Sequence, residues 1–123
     1  MKENDLARKV IGLALKVHRE LGPGLLERVY QECLYYEIKR ENIEVKKEVP
    51  IPIKYDNLEI ESAYRIDLLV ENKLVIELKS VSDLHDIHFA QTLTYLRLAN
   101  MRLGLLLNFN EILLKDGIRR VIN

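Results

Sequence analysis

The chain has 123 residues, of which 48% are hydrophobic and 31% charged, and this length predicts a single domain over residues 1–123. Nineteen Lys and Arg residues balance nineteen Asp and Glu residues, which argues against a protein that coats nucleic acid by charge alone. The single cysteine excludes a disulfide framework, and no apolar run approaches the ~18 residues of a membrane span. We therefore expect a cytoplasmic protein that does not enter a membrane.

The first half of the chain predicts two helices and one strand. Apolar residues recur at three- and four-residue spacing over residues 6–21 and again over residues 24–41, which is typical of amphipathic helices. The period changes to two over residues 45–55. Pro50 and Pro52 indicate that this strand is bent or lies at a sheet edge, because proline lacks an N–H donor.

The second half predicts a hairpin, a helix and two further strands. Residues 64–70 and 74–79 are dense in Ile, Leu and Val, and a three-residue polar loop separates them. Ser82 is a candidate cap for a helix that continues to Ala99. Residues 102–107 and the segment from Ile118 complete the order ααβββαββ, so the fold class is a layered α/β (α+β) domain.

Three charged residues interrupt the two most apolar strands. Asp67 lies in the first of them, and Glu77 and Lys79 lie in the second. Burial of a lone carboxylate costs several kcal/mol unless a proton, a cation or hydrogen bonds compensate it. If Val70 pairs with Leu74, Asp67 lies directly opposite Glu77, and the two side chains share a face of the sheet. Lys79 follows Glu77 by two residues and points to the same side.

Two interpretations fit this group. Like charges on neighbouring strands repel, and Mg²⁺ or Mn²⁺ between them reverses the sign of the interaction because hard cations prefer oxygen ligands. An Asp, a Glu-x-Lys and a metal suit phosphodiester hydrolysis, in which the metal activates water and the lysine stabilises developing charge. Alternatively, Arg65 forms a structural ion pair with Glu77, or Lys79 with Asp67. The spacing alone does not decide between them.

Residues on the predicted helices extend the candidate site. Glu27 is a possible third acid at the metal, and a first-turn glutamate that stabilises the helix dipole is the alternative. Tyr30 is a candidate substrate contact or, alternatively, a core aromatic with a satisfied hydroxyl. His88, Gln91 and Tyr95 recur at i, i+3 and i+7, so they share one face of their helix. A solvated polar stripe is the other interpretation of that face.

Five segments together resemble the small prokaryotic GxxExxY proteins of the PD-(D/E)XK nuclease-like superfamily. They are residues 24–30, 64–70, 76–79, 88–97 and 114–120. The resemblance extends over residues 11–123 and implies a restriction-endonuclease-like core, in which helices flank a mixed β-sheet. It further implies roles for single residues: Glu27, Asp67 and Glu77 match acidic metal-binding positions, Lys79 matches the catalytic lysine, and Gln91 with Tyr95 match a Gln-xxx-Tyr element.

These observations predict a nuclease that uses Mg²⁺ or Mn²⁺ and cleaves nucleic acid, DNA in preference to RNA. We expect the Leu78 carbonyl to join the metal ligands, Gln91 to orient the phosphate or the water, and four residues to bind substrate: Tyr30, Arg65, His88 and Tyr95. A homodimer would supply one site for each strand of a duplex. The alternative is a module that kept the fold and binds nucleic acid or protein without cleavage, which the zero net charge favours.

Overall fold

The computed structural model of the protein describes all residues from Met1 to Asn123. The helices are α1 (Glu3–Leu21), α2 (Glu27–Arg40) and α3 (Asp86–Ala99), and a 3₁₀ turn spans Leu114–Gly117. The strands are β1 (Val45–Tyr55), β2 (Leu58–Val70), β3 (Leu74–Lys79), β4 (Leu103–Asn108) and β5 (Ile118–Ile122). The predicted order ααβββαββ is confirmed. None of the helices combines the length and the apolar character that crossing a membrane requires.

The five strands form one mixed sheet in the order β1-β2-β3-β4-β5. Only β3 and β4 are parallel, because α3 connects them, and the other neighbours are antiparallel. β1 is an edge strand, as Pro50 and Pro52 predict, so their missing N–H groups interrupt no pairing with a further strand. The edge position and a register shift between Ile51 and Ile53 accommodate both prolines.

Helices cover both faces of the sheet. On one face, α1 and α2 pack against the strands in a core of 19 buried residues. On the other face, α3 packs in a smaller core of 8 buried residues. Most of β3 is apolar because both of its faces are covered: Leu74, Ile76 and Leu78 face α1 and α2, whereas Val75 faces α3. Successive side chains of a strand alternate, so Glu77 and Lys79 share the face of Val75.

Two element boundaries differ from the sequence prediction by four residues or more. β2 begins at Leu58 rather than Tyr64, because its first half pairs with β1 as an exposed hairpin that lacks an apolar pattern. α3 begins at Asp86, and Ser82 does not cap it. The side chain of Asn108 accepts a hydrogen bond from the Val81 N–H (3.1 Å) and donates one to the Val81 carbonyl (2.9 Å). Because of these bonds, the backbone directly after β3 does not form a helix.

The register between β2 and β3 is the predicted one. Val70 pairs with Leu74 and Leu68 pairs with Ile76, so residue numbers on the two strands keep a constant sum. The regular pairing ends at Leu68 and Ile76, one residue before Asp67 and Glu77. The carboxylates therefore lie where the ladder between the two strands opens.

Candidate active site

Asp67 and Glu77 replace the missing part of the ladder with their side chains. The Asp67 backbone N–H donates to Glu77 Oε1 at 3.1 Å. The Leu78 backbone N–H donates to Asp67 Oδ2 at 2.9 Å. Each carboxylate thus bonds to the neighbouring strand, which fixes both groups next to each other at the opening of the sheet. The two carboxyl groups also share a hydrogen bond with each other, which lowers the pKa of Asp67 and raises that of Glu77.

Burial shifts the titration of both carboxyl groups. Glu77 is 4% exposed, and burial together with the charge of Asp67 raises its pKa to about 9. Burial also raises the pKa of Asp67, against the opposing effects of the Leu78 N–H and the Lys79 charge. All ion pairs of the structure involve other residues, so neither predicted structural pair, Arg65 with Glu77 or Lys79 with Asp67, is present. The carboxylate pair has no cationic partner.

Lys79 lies beside the pair with its ammonium group unbonded. It is half-buried at the end of β3, and no hydrogen bond or ion pair involves its side chain. Its charge lowers the pKa of Asp67, Glu77 and His88, which puts the ammonium within electrostatic reach of all three. An unpaired lysine next to two carboxylates is available to a ligand of the site.

Glu27 lies at the rim of the site rather than with the pair. It is exposed at the first position of α2, and its Oε2 accepts a hydrogen bond from the Ser80 N–H at 3.3 Å. Its charge raises the pKa of Asp67, so the two carboxylates are electrostatically coupled. However, no group of three His, Cys, Asp or Glu residues lies close enough to hold a metal ion. Asp67, Glu77 and Glu27 therefore do not form one metal-ligand group, and Glu27 bonds to the residue directly after Lys79.

Tyr30 supports the loop in front of Glu27. It is fully buried, and its ring stacks on Phe109 at 4.6 Å between centroids. Its hydroxyl donates to the Gly22 carbonyl (2.6 Å) and accepts from the Leu25 N–H (3.1 Å). The predicted substrate contact through Tyr30 is not supported, since the side chain has no exposed surface and its hydroxyl is bonded to the loop. Tyr30 corresponds to the alternative interpretation, a core aromatic with a satisfied hydroxyl.

α3 brings His88 to the same side of the sheet. His88 Nδ1 accepts a hydrogen bond from the His85 N–H at 2.9 Å, so the neutral ring carries its proton on Nε2. Burial and the charge of Lys79 lower the pKa of His88, which favours this neutral form. The ring is half-buried, and Nε2 is free to donate.

Gln91 and Tyr95 continue the face of α3 that begins at His88. Tyr95 is 5% exposed, and burial followed by the charges of Glu77 and Asp67 raises its pKa to about 12. The phenol is thus a neutral O–H close to the carboxylate pair. Gln91 is half-buried, and no hydrogen bond within the protein engages its amide. The face is a partly buried polar surface toward the site rather than a solvated stripe.

Arg65 lies at the outer rim of this region. It pairs with Pro50 on the edge strand and is exposed. The pairing of β2 with β3 does not reach Arg65, so it has no partner at Lys79. Its position allows contact with a ligand that extends beyond the sheet opening, but nothing in the protein directs the guanidinium toward Lys79.

Glu48 on β1 lies beside the site in a backbone conformation that the sequence pattern misses. Lys47 pairs with Leu68 and Val49 pairs with Ile66, so Glu48 lies opposite Asp67. Its backbone has φ 53°, a left-handed conformation that is costly for a residue with a Cβ.

Both strands change faces at this point. Val45 and Leu68 pack toward α1 and α2, whereas Ile51 and Ile66 pack toward α3, although alternation along each strand predicts one common face. This local twist turns Asp67 out of the ladder. A sequence pattern of alternating residues carries no signal for it, because glutamate has no preference for this conformation.

A mixed sheet between two helical layers, with paired carboxylates and a lysine where the ladder opens, defines a restriction-endonuclease-like fold. The model of the PD-(D/E)XK nuclease superfamily matches residues 4–121, and the chain belongs to this superfamily. Comparison with curated proteins and with solved structures gave no match.

The donor set fits the divalent metal that this superfamily implies. The carboxylates of Asp67 and Glu77 supply hard oxygen donors, the first half-buried and the second buried, and neither has a cationic partner. Within a strand, the N–H and C=O of one residue point toward the same neighbouring strand. The Leu78 N–H points to Asp67, so the Leu78 carbonyl also faces the opening beside the pair. These three groups would hold the metal.

Proposed function

We propose that the protein is a nuclease that uses Mg²⁺ or Mn²⁺ to hydrolyse phosphodiester bonds, in DNA in preference to RNA. The pair of buried Glu77 and half-buried Asp67, without a cationic partner and beside the unpaired Lys79, carries this proposal. Within the superfamily, Gly24, Glu27 and Tyr30 support its membership of the small prokaryotic GxxExxY proteins.

Asp67, Glu77 and the Leu78 carbonyl would bind the cation, and Glu27 would assist from the rim. When bound, the metal supplies Lewis acidity toward the phosphate and the attacking water. The carboxylates hold this position without rearrangement, because backbone N–H groups of the opposite strand already orient them. Their burial keeps competing water away from the reacting phosphate.

The remaining side chains act on the substrate. In hydrolysis, a water oxygen bonds to phosphorus while the bond from phosphorus to the leaving oxygen breaks, and negative charge grows on the non-bridging oxygens. The free Lys79 ammonium would donate to one of these oxygens and would stabilise this charge. Gln91 would orient the phosphate or the water, and His88 would donate from Nε2. Tyr95 and Arg65 would contact the substrate backbone.

Lys79 also distinguishes this proposal from the alternative of a module that binds without cleavage. A site that only binds a cation gains nothing from a second positive charge next to it, because the two charges repel. Phosphoryl transfer needs such a charge for the transition state. The unpaired state of Lys79 therefore favours hydrolysis.

A cleavage panel tests the proposal. Labelled single- and double-stranded DNA and RNA are incubated with Mg²⁺, with Mn²⁺ and with EDTA. We expect metal-dependent cleavage by the wild-type protein and a loss of about 10²–10³-fold in kcat for Lys79→Ala. Lys39→Ala is the matched control, since Lys39 lies in the last turn of α2 on the opposite face. Cleavage that survives both Asp67→Asn and Lys79→Ala, or none with any substrate, contradicts the proposal.

We further propose that the protein acts in the cytoplasm as a homodimer. A chain of 123 residues offers little surface to grip a duplex, and two copies supply one site for each strand. Light scattering at the concentration of the cleavage assay tests this, and a monomer there would exclude the dimer.

A further inference from the structure

A groove next to the carboxylate pair has no part in the chemistry described so far. It lies between the β1–β2 hairpin and α3 and has a volume of about 290 Å³. Ile53 and Tyr64 line it from the hairpin, and Ile87, Gln91 and Tyr95 line it from α3. None of its lining residues is charged. A phosphate has no partner in such a groove, whereas a flat, mostly apolar group does.

The groove is continuous with the candidate active site. Gln91 and Tyr95 belong to both, and the charges of Glu77 and Asp67 act on the Tyr95 phenol. A ligand with its phosphate at the carboxylate pair therefore has its neighbouring groups at the groove.

Tyr64 gives the groove an aromatic surface. The residue is 44% exposed, and its ring packs against the Tyr95 ring at 5.7 Å between centroids with an interplanar angle of 47°. Ile87, which is 70% exposed, adds a second apolar surface from α3. The Gln91 amide offers both a donor and an acceptor to the edge of a bound ring. Aromatic rings beside a backbone-binding site are typical of proteins that bind single strands, because every base has a face on which to stack.

We propose that this groove binds an unpaired nucleobase of the strand that is cut, with Tyr64 stacked on the base and Gln91 at its edge. This inference rests on the proposed function and names its substrate class as a single strand or the unpaired end of a duplex. Bases inside a duplex are stacked on both faces and do not reach the groove unless they are extruded. The zero net charge agrees with this, since binding cannot depend on phosphate contacts alone.

Equilibrium binding in the absence of turnover tests the groove. Fluorescence anisotropy with Mg²⁺ compares a single-stranded oligonucleotide with its blunt duplex, with every protein carrying Lys79→Ala, and gels verify that the oligonucleotide stays intact. We expect tighter binding of the single strand. Tyr64→Leu should weaken it about tenfold and leave duplex binding unchanged, while Tyr64→Phe retains the affinity. Tyr36→Leu, an exposed tyrosine on α2, is the matched control without effect.

An abasic substrate tests the same contact without a change near the groove. Single abasic sites are placed along the oligonucleotide, and its affinity for the Lys79→Ala protein is measured. We expect one position at which the missing base lowers this affinity about as much as the Tyr64→Leu substitution lowers the affinity for the intact oligonucleotide. Combining that substrate with Tyr64→Leu should add no further loss. Three results would overturn the groove proposal. They are additive losses of affinity from the abasic site and Tyr64→Leu, equal affinity for duplex and single strand, and no binding of the single strand.

The outcomes separate this inference from the proposed function. Cleavage of duplex and single strand at equal rates, without an effect of Tyr64→Leu, rejects the groove and keeps the nuclease. Tyr64-dependent binding of single strands without cleavage by the wild-type protein keeps the groove and rejects the nuclease. A third outcome is that Tyr64→Leu dissociates a dimer and leaves the affinity for the oligonucleotide unchanged. This result would assign the groove to a second copy of the chain and reject the proposed base contact.

Discussion

Buried carboxylates have cationic partners on one face of the sheet and lack them on the other. On the side of α1 and α2, the carboxylate of Glu37 is buried, and both Lys16 (2.8 Å) and Arg40 (3.3 Å) pair with it. On the side of α3, Glu77 is buried beside Asp67, and no cation pairs with either carboxylate. The first face also has the larger core, 19 buried residues against 8.

The layer of α1 and α2 therefore contributes most of the stability, whereas the layer of α3 carries the candidate site. The layer of α1 and α2 satisfies its polar groups within the protein, as His18 does through its bond with the Glu111 carbonyl (2.8 Å). The layer of α3 leaves Lys79, Gln91 and two carboxylates available to a ligand. Functional sites commonly retain such unfavourable arrangements at a cost in stability.

The largest expected effect is on the α1 and α2 side. Phe109→Ala removes a fully buried ring that stacks on Tyr30, and we expect a loss of about 3–5 kcal/mol in the free energy of unfolding. Phe89→Ala, at a half-buried ring on the α3 side, should cost only about 1–2 kcal/mol. Urea denaturation measures both values. Equal losses would mean that the two cores contribute equally to the free energy of unfolding.

Tyr30→Phe tests the link between the large core and the site. It removes the hydroxyl that bonds to the Gly22 carbonyl and the Leu25 N–H, and we expect a loss of about 1–3 kcal/mol in unfolding free energy. Cleavage should also decline, because the loop in front of Glu27 loosens. Tyr36→Phe, with an exposed ring on the same helix, is the control. Unchanged stability of Tyr30→Phe would show that the loop is held by other contacts.

Glu48 tests the local twist beside Asp67. Glu48→Val places a β-branched residue at φ 53° and should cost about 1–2 kcal/mol, whereas Glu48→Gly should keep both stability and cleavage because glycine tolerates this conformation. Glu59→Val, on the exposed hairpin, is the comparison. If Glu48→Val and Glu48→Gly have the same unfolding free energy and the same cleavage rate, the backbone conformation at position 48 does not set the position of Asp67.

Much of this arrangement is predictable from the sequence, and the misses have physical causes. The apolar density of β2 and β3 predicts the register between them, since a slip by one residue would bury the wrong set of side chains. The helical spacing of Gln91 and Tyr95 predicts their common face. The predicted start of α3 at Ser82 is wrong because Asn108, distant in sequence, hydrogen-bonds to the backbone of Val81. Such contacts leave no local pattern.

The sequence leaves Glu27 open between a third acid at the metal and a glutamate that stabilises the helix dipole. In the structure Glu27 is exposed in the first turn of α2 and accepts from the Ser80 N–H, a contact that a sequence pattern does not reveal. The conformation of Glu48 is equally hidden, because it follows from the twist of a whole hairpin. In each case a long-range contact decides the outcome, and local propensity carries no information about it.

Glu77, which has no cationic partner, and Glu37, which has two, should respond in opposite ways to replacement by glutamine. Because burial raises the pKa of Glu77 from 4.5 to about 9, the folded metal-free protein disfavours its ionised form, so stability falls as the pH rises through this range. Glu77→Gln removes the effect and should stabilise the metal-free protein at pH 8, on the order of 2 kcal/mol. Glu37→Gln, which leaves Lys16 and Arg40 without their partner, should destabilise it.

The most direct test is the free energy of unfolding from pH 4 to 9, with and without Mg²⁺, for the wild-type protein and Glu77→Gln. We predict a gap in favour of Glu77→Gln that is absent below pH 4.5 and widens toward pH 9. Mg²⁺ should close this gap by stabilising only the wild-type protein, because the cation binds the folded pair. A gap that does not change with pH, or an equal response of both proteins to Mg²⁺, would contradict a metal site at Asp67 and Glu77.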